Sequence, residues 1–225
     1  MTVAQNAPTL KAVRTIRLPT VSGRIDHLAA DVNGQRLFVC ALGNDSVEVV
    51  DLKSGRRVHT IKGLGAPQGV VYIPQLDRLV VANDKGGRVN FYEGRNLRPA
   101  GMIDLKDDAD NVCYDAQSKR VYVGYGNGAV AMLDPGRAQV LSGIGLSAHP
   151  EAFQLEKNGP RIFVNVPEAH EVAVIDRHRG EAIAKWSTGN ATANFPMALN
   201  EKNARLFIGC RSPAKLLVLD TAWGK

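Results

Sequence analysis

The sequence predicts an all-β propeller whose blades are four-stranded antiparallel sheets. Two recurrent marks and the spacing of short apolar segments indicate this fold. The first mark is an arginine followed by three apolar residues that are mostly β-branched or aromatic. Its copies lie 42, 42, 41 and 44 residues apart and start at Arg36, Arg78, Arg120, Arg161 and Arg205. A period of this length, carried by strand-forming residues, is typical of radial β repeats.

The second mark is an acidic residue that ends a hydrophobic run in each repeat. Its copies lie 42, 41, 42 and 44 residues apart, at Asp51, Glu93, Asp134, Asp176 and Asp220. A short turn that contains Gly, Asn or Pro follows each of them. Such residues adopt the backbone angles of tight hairpins, and the carboxylate can accept hydrogen bonds from the turn. Two independent marks with one period therefore define five repeats.

Each repeat divides into short strands separated by turns at intervals of about 8 to 12 residues. Only a propeller also explains four antiparallel strands in a unit of 42 residues. The predicted strands are 28–31, 37–41, 47–50 and 57–61 in the first repeat, 69–73, 79–82, 88–92 and 98–103 in the second, 112–114, 121–125, 129–133 and 139–144 in the third, 152–155, 162–166, 172–175 and 182–186 in the fourth, and 197–199, 206–210 and 216–219 in the fifth.

The fifth repeat has no fourth strand of its own, and the N-terminal segment offers a candidate for it. Residues 13–16 (Val-Arg-Thr-Ile) resemble residues 58–61 (Val-His-Thr-Ile), which form the fourth predicted strand of the first repeat. We therefore expect residues 13–18 to pair antiparallel with 216–219 and to close a five-bladed ring without a free edge. The alternative is a truncated seven-bladed propeller, in which this segment lacks that partner. Both describe one propeller domain over 9–225, with 1–8 as a disordered N-terminal tail.

The composition fits an ordinary globular chain and restricts its chemistry. Three scattered cysteines, Cys40, Cys113 and Cys210, indicate free thiols within strands and disfavour a disulfide framework or a zinc cluster of cysteines. No apolar run reaches the roughly 20 residues that cross a bilayer. The formal net charge of +6 permits an acidic partner such as nucleic acid. Aromatic residues make up only 6% of the chain, which leaves few platforms on which bases could stack.

Several segments carry a family resemblance. Residues 80–83 (Val-Val-Ala-Asn) resemble the YVTN signature of bacterial propeller repeats, and residues 23–28, 43–52 and 159–167 look like YncE-family propeller proteins. The resemblance covers nearly the whole chain and concerns its fold more than its activity. It implies a bacterial propeller of seven blades in a periplasmic location, reached through an export signal. Residues 1–8 have neither the basic start nor the apolar stretch of such a signal.

Candidate functional residues lie nine and ten positions before each repeated arginine, where loops lead into the innermost strands. Ligands of propellers gather there by analogy of fold. Structural residues should recur with the repeat, so polar residues that break it are the candidates for function. The predicted ligand-binding set on this channel face is Asp26, His27, Gln68, Asp110, Asn111, Glu151 and, flanking these positions, His149 and Asn194.

Three functional hypotheses follow from this set. The first is a non-catalytic binding or scaffold module that recognises an unknown ligand or protein partner and needs no cofactor. The second is a metal-dependent, lactonase-like hydrolase in which Asp26, Asp110 and Glu151 hold a divalent metal such as Ca²⁺ or Mg²⁺, because these ions prefer carboxylate oxygens. The third is single-stranded nucleic-acid binding, suggested by the basic charge. The spacing of residues assembles no nucleophile–His–acid triad, which makes an enzyme the less favoured interpretation.

Overall fold

Nineteen strands form five antiparallel sheets in the structure, a computed structural model that describes residues 11–225. Each sheet is one blade and uses consecutive strands. Their bounds are β1 Leu28–Asp31, β2 Arg36–Ala41, β3 Ser46–Asp51 and β4 Arg56–Lys62 in blade 1, β5 Pro67–Ile73, β6 Arg78–Asn83, β7 Arg88–Glu93 and β8 Pro99–Asp104 in blade 2, β9 Ala109–Asp115, β10 Arg120–Tyr125, β11 Ala129–Asp134 and β12 Gln139–Gly145 in blade 3, β13 Phe153–Leu155, β14 Arg161–Val166, β15 Glu171–Asp176 and β16 Glu181–Ser187 in blade 4, and β17 Thr192–Asn200, β18 Arg205–Ser212 and β19 Ala214–Asp220 in blade 5.

The blades are arranged as in a propeller, so the predicted fold class is confirmed. The strands of each sheet follow one another in chain order, and the first strand of each blade contacts the first strand of the next, from β1 through β5, β9 and β13 to β17. The first strands therefore lie innermost and line the central channel. Four sheets have four strands and blade 5 has three, as the sequence predicts for the described residues.

The hydrophobic core consists of apolar layers between successive blades. Phe38 and Val47 of blade 1 pack with Leu79 and Val81 of blade 2, and Val80 faces the opposite way into the layer shared with blade 3. Equivalent layers join blades 3 and 4 and blades 4 and 5. Alternation along a strand sends neighbouring side chains to opposite faces of its sheet. Each fully buried Val, Leu or Phe side chain contributes about 1.5–3 kcal/mol, so both faces of a blade depend on its neighbours.

The two periodic marks of the sequence lie opposite each other across one hairpin of a blade. Each repeated arginine is the first residue of a second strand, and each repeated acid is the last residue of a third. Arg36 pairs in register with Asp51, and Arg161 pairs with Asp176. The repeat therefore fixes the two ends of this hairpin in every blade.

The side chains of these arginines connect blades as well as strands. The Arg36 guanidinium lies 2.8 Å from Asp31 and donates to the Gly94 carbonyl of blade 2 at 2.6 Å. Arg161 bonds to Glu156 in the same way and donates to the Thr221 carbonyl after β19. The strict period of these arginines indicates a structural role, and from the sequence we expect them to pair with turn acids such as Asp31, Asp77, Asp115 and Glu156. The Arg36–Asp31 and Arg161–Glu156 pairs confirm this expectation.

The same prediction is wrong for the third repeat. Arg120 contacts Asp134, the acid that ends the third strand, at 3.2 Å instead of Asp115. Asp115 pairs instead with the buried Arg177 of blade 4, whose guanidinium lies 3.3 Å from Asp115 Oδ2 and also donates to the Glu156 carbonyl. Asp115 is thus paired with an arginine of the next blade. The period of the sequence does not reveal this pair, because Arg177 is not one of the repeated arginines.

The predicted N-terminal strand is not formed within the described residues. Residues 11–18 have no strand assignment, and the side chain of Val13 is 94% exposed. Arg14 donates instead to the carbonyls of Leu52, Lys53 and Ser54, in the turn between β3 and β4. The expected pairing with 216–219 is therefore wrong for 13–18, because this segment is held at blade 1 by hydrogen bonds to an exposed turn. The predicted tail over 1–8 lies outside the described residues.

All three cysteines are free, as the sequence predicts. Cys40 and Cys210 are buried, and Cys113 is partly buried. Burial raises the pKa of the Cys113 thiol to about 12, which keeps it protonated at neutral pH. None of the helices in residues 11–225 has the length and apolar character needed to cross a membrane.

The two environments of the repeated arginines give a testable difference in stability. Arg161→Ala should lower the free energy of unfolding by about 2–3 kcal/mol, because it leaves the Glu156 carboxylate buried without its cation. Arg205→Ala is the matched control, since its pair with Asp220 is solvent-exposed and should contribute less than about 1 kcal/mol. Urea denaturation of both variants measures this, and equal losses would contradict the interblade role of Arg161.

Candidate functional site

All five predicted position pairs lie at one structural feature, a bulge in the innermost strand of each blade. Two residues of the inner strand face a single residue of the second strand at 26–27, 68–69, 110–111, 151–152 and 195–196. The opposing residues are Cys40, Ala82, Gly124, Asn165 and Gly209. A bulge changes the direction of the side chains it carries, and bulges are common beside functional sites. The positions nine and ten residues before each repeated arginine are therefore the bulge residues in every blade.

The bulges of blades 2 and 3 approach each other so closely that Gly69 is required. A Cβ atom on Gly69 would lie 2.0 Å from the Asp110 carbonyl oxygen and 2.7 Å from a methyl group of Val112. These distances are far below van der Waals contact. The absence of a side chain at Gly69 therefore allows the backbone of Asp110 to lie this close to blade 2.

Blade 1 contributes a charged pair to the channel face. Asp26 Oδ1 lies 2.9 Å from His27 Nδ1, and Asp26 Oδ2 lies 2.6 Å from the Arg24 guanidinium. His27 Nε2 lies 3.2 Å from Asn111 Nδ2 of blade 3. Asp26 and His27 therefore face blade 3 across the channel through Asn111, and the Asp26 carboxylate has two cations beside it.

The electrostatics of this pair shift both groups towards their charged forms. Burial alone would raise the pKa of Asp26, but the hydrogen bond from His27 and the charges of His27 and Arg24 outweigh it and lower that pKa below 3.8. The hydrogen bond to Asp26 raises the pKa of His27 above 6.5 against the effect of burial, and the charge of Asp110 adds to it.

Blades 3 and 4 bring together a second group, formed by Asp110, His149 and Glu151. One potential ligand atom from each of the three side chains lies within 4.8 Å of the others. Asp110 is only 5% exposed, and its Oδ1 has no hydrogen-bond partner within residues 11–225. His149 Nδ1 lies 2.6 Å from the Gly126 carbonyl, which leaves Nε2 for the carboxylates. The sequence names all three residues for the channel face, but it predicts Asp26 and not His149 as the third metal ligand.

The pKa values of this second group reflect crowded negative charge. The neighbouring Asp110 carboxylate raises the pKa of His149 to about 9 against the effect of burial, and the Gly126 carbonyl adds to the shift. Burial raises the pKa of Glu151 to about 7, and the charges of Asp110, Asp108 and Asp26 act in the same direction. Both groups therefore change charge above the usual range of their residue types.

One member of the site, Asp108, was missed by sequence reasoning. Its Oδ2 lies 3.9 Å from His149 Nε2, and its Oδ1 accepts a hydrogen bond from Gln68 Nε2 at 3.0 Å. Burial raises the pKa of Asp108, and the neighbouring acids add to this. The available signal was the run of acids at 107, 108 and 110 directly before the third blade. Gln68 thus reaches the second group through Asp108.

Asn194 has a different environment from the other predicted residues. Its side chain is completely buried, and Nδ2 donates to Asn165 Oδ1 and to the Glu171 carbonyl. Asn165 in turn donates to the Phe195 carbonyl. These contacts join the inner strand of blade 5 to the second and third strands of blade 4, so the direct role of Asn194 is to hold these two blades together.

A cavity of about 410 Å³ opens between the bulges of blades 1, 3, 4 and 5. Its lining includes Arg24, Asp26, His27, Asn111 and Glu151. Blade 5 supplies Arg211, whose guanidinium lies 4.1 Å from the centre of the Phe195 ring. This volume is within the range of small-molecule sites. The cavity therefore combines two carboxylates and hydrogen-bonding groups with the guanidinium groups of Arg24 and Arg211.

Comparison with known proteins supports the fold. A solved structure of Kuenenia stuttgartiensis hydrazine synthase superposes with a TM-score of 0.69 and 16% sequence identity. The match covers 86% of this chain and 65% of the other, so the chain spans about two thirds of the length of its structural relative. At this identity the likeness concerns the propeller fold alone. No protein-family model and no curated protein matches the chain, and the resemblance to YncE-like proteins stays a prediction.

Gly69 provides a test of how the site is positioned. Gly69→Ala should lower the free energy of unfolding by about 1–3 kcal/mol, because the new methyl group overlaps the Asp110 carbonyl. Gly145→Ala at the end of β12 is the control, since a Cβ there meets no atom within 4 Å. Thermal denaturation of the two variants measures the difference. Equal melting midpoints would show that blades 2 and 3 can separate at this bulge without cost.

The Asp26–His27 pair predicts a pH dependence of stability. Because the folded pKa of His27 is raised, its contribution is complete below pH 6.5 and is lost as the pH rises through the folded value. The lowered pKa of Asp26 means that its contribution is lost only as the pH falls below about 4. His27→Gln should therefore lower the melting midpoint more at pH 6 than at pH 9. His59→Gln, at an exposed position of β4, should give the same difference from wild type at both pH values.

Proposed function

We propose that this chain is a non-catalytic β-propeller module that binds a small polar ligand at its channel face. The observation that carries the proposal is the 410 Å³ cavity between the strand bulges, which collects polar residues that break the repeat. A pocket of this size with a few convergent polar groups is the usual form of a ligand site. The residues that recur with the period lie in the hairpins of the blades, where Arg36 and Arg161 connect them to neighbouring blades.

The charged and polar groups that line the cavity define the chemistry of the ligand. Arg211 is exposed and its guanidinium lies over the Phe195 ring, so its N–H groups can donate hydrogen bonds to a carboxylate or phosphate. Asp26, which pairs with Arg24, and Glu151 can accept hydrogen bonds, and Asn111 can donate or accept them. A ligand with an anionic group at one end and hydroxyl or amino groups at the other fits this arrangement. Hydroxy acids, amino acids and sugar phosphates are the classes that we infer.

The test is a thermal-shift and calorimetric screen of these three classes against the full chain. At least one class should raise the melting midpoint, as any ligand specific for the folded state does. Arg211→Gln should then weaken binding about tenfold or more, since hydrogen bonds to a charged group contribute about 1.5–3 kcal/mol. Arg179→Gln, on the outer turn of blade 4, is the control. A screen without any shift, or equal binding by both variants, would contradict the proposal.

A metal-dependent hydrolase is the second candidate function. The grouping of Asp110, His149 and Glu151 favours it, because a metal held by three side chains can polarise a carbonyl group and activate water. Asp26 belongs to the pair with His27 and Arg24, so the set that supports this candidate differs from the predicted one. Hydrolysis of a simple lactone by the metal-loaded wild type, absent in Asp110→Asn, would establish this function. Ligand binding without any turnover would exclude it for that substrate.

A further inference from the structure

We propose that Asp110, His149 and Glu151 form a binding site for a divalent transition-metal ion of the zinc type. The inference rests on the proposed function in one respect: it adds an ion to the channel-face site described above. It concerns a ligand that can be measured without knowing any organic partner.

The geometry of the three side chains is close to that of a three-ligand metal site. Ligand atoms at about 2.1 Å around one tetrahedral ion lie about 3.4 Å from one another. Those of Asp110, His149 and Glu151 already lie within 4.8 Å. Side-chain rotations that shift each atom by about 1 Å would complete the coordination, and the backbone need not move.

Asp110 provides the second and independent observation. It is 5% exposed, and its Oδ1 is buried without a hydrogen-bond partner among the described residues. A buried carboxylate oxygen without a partner costs free energy, and buried polar groups are paired in most structures. The close packing of Gly69 against the Asp110 carbonyl leaves the Asp110 backbone little room to shift towards blade 2. A cation at this point would satisfy the unpaired oxygen.

His149 is oriented in the manner of a metal ligand. Its Nδ1 lies 2.6 Å from the Gly126 carbonyl and can donate to it, so Nε2 is the ring nitrogen left for a metal ion, which would displace the Nε2 proton. Metal-binding histidines usually donate their second ring nitrogen to a carbonyl or carboxylate in this way. Gly126 has a φ of +58° and its N–H donates to the Asp108 carbonyl, which fixes the accepting group.

The ligand set selects the class of ion. One imidazole and two carboxylates suit Zn²⁺ and related transition metals, whereas Ca²⁺ needs six to eight oxygens and Mg²⁺ keeps most of its water. Three protein ligands leave a coordination position open. Glu151 also lines the 410 Å³ cavity, so an ion bound there is within reach of a small ligand in the cavity.

The experiment is a Zn²⁺ titration of the full chain after treatment with EDTA, in competition with a chromophoric chelator. Wild type should bind one Zn²⁺ per chain, and bind Zn²⁺ at least tenfold more tightly than Mg²⁺ or Ca²⁺. Asp110→Asn, His149→Ala and Glu151→Gln should each weaken Zn²⁺ binding by about 100-fold. His178→Ala, in the outer turn after β15, should leave it unchanged. Asp26→Asn should keep it within about threefold, which separates this site from one built on Asp26.

Circular dichroism of each variant confirms that the blades are folded, and the near-isosteric Asp110→Asn and Glu151→Gln keep the volume of the site. The inference is overturned if wild type binds no Zn²⁺, since the three side chains would then be neighbours without a common ion. It is also overturned if the three variants bind as wild type does, because the ion would lie elsewhere. Repeating the organic-ligand screen with EDTA distinguishes the two proposals: binding that survives supports the ligand site without the metal, and Zn²⁺ binding without any organic ligand supports the metal site alone.

Discussion

Both faces of a blade that lies between two others have to be covered by apolar side chains, and the neighbouring blades supply that cover. In β6, Leu79 and Val81 enter the layer shared with blade 1, while Val80 and Ala82 enter the layer shared with blade 3. A strand buried on both faces reads as a continuous hydrophobic run, which explains why the second strands are the most regular segments of the sequence. The same burial leaves no room in these strands for a functional polar residue. Function is therefore confined to the strand ends, the bulges and the turns.

The strands and hairpins of each blade could be predicted from the sequence, because each repeated residue occupies the same position in every blade. The arginine and the acid that mark the period lie opposite each other at the ends of one hairpin, so their spacing fixes the strands. The bulge could be located by counting from the arginine, since the second strand has nearly the same length in every blade. The partner of Arg120 could not be predicted, because Asp115 is taken by Arg177 from another blade. Likewise, the pattern of residues 13–18 fits a strand. The sequence does not show that Arg14 binds the carbonyls of the turn after β3, which holds this segment at blade 1 and not beside 216–219.

The sequence predicts which residues lie at the candidate site, but it does not predict which of them lie next to one another. Asp26, Asp110 and Glu151 all occupy bulges, yet Asp26 is neutralised by Arg24 and His27, and His149 takes its place beside the other two. His149 precedes the bulge by two residues and reaches the group only because Gly126 accepts its Nδ1. Such a contact between neighbouring blades has no trace in the sequence of either blade. Burial in this shared environment raises the pKa of Glu151 to about 7, and the charges of the neighbouring carboxylates add to the shift.

The charges that line the cavity come from residues that differ from one blade to the next. Blades 1, 3 and 4 place acids and amides at their bulges, whereas blade 5 places Phe195 and Pro196 there and presents Arg211 from β18. The Arg211 guanidinium lies over the Phe195 ring, 4.1 Å from its centre. Because these residues do not recur, their chemistry is invisible to a comparison of folds at 16% identity. The blades give a channel of common shape, and the residues that break the repeat, at the bulges and at Arg24 and Arg211, give it the carboxylate and guanidinium groups that a bound ligand would contact.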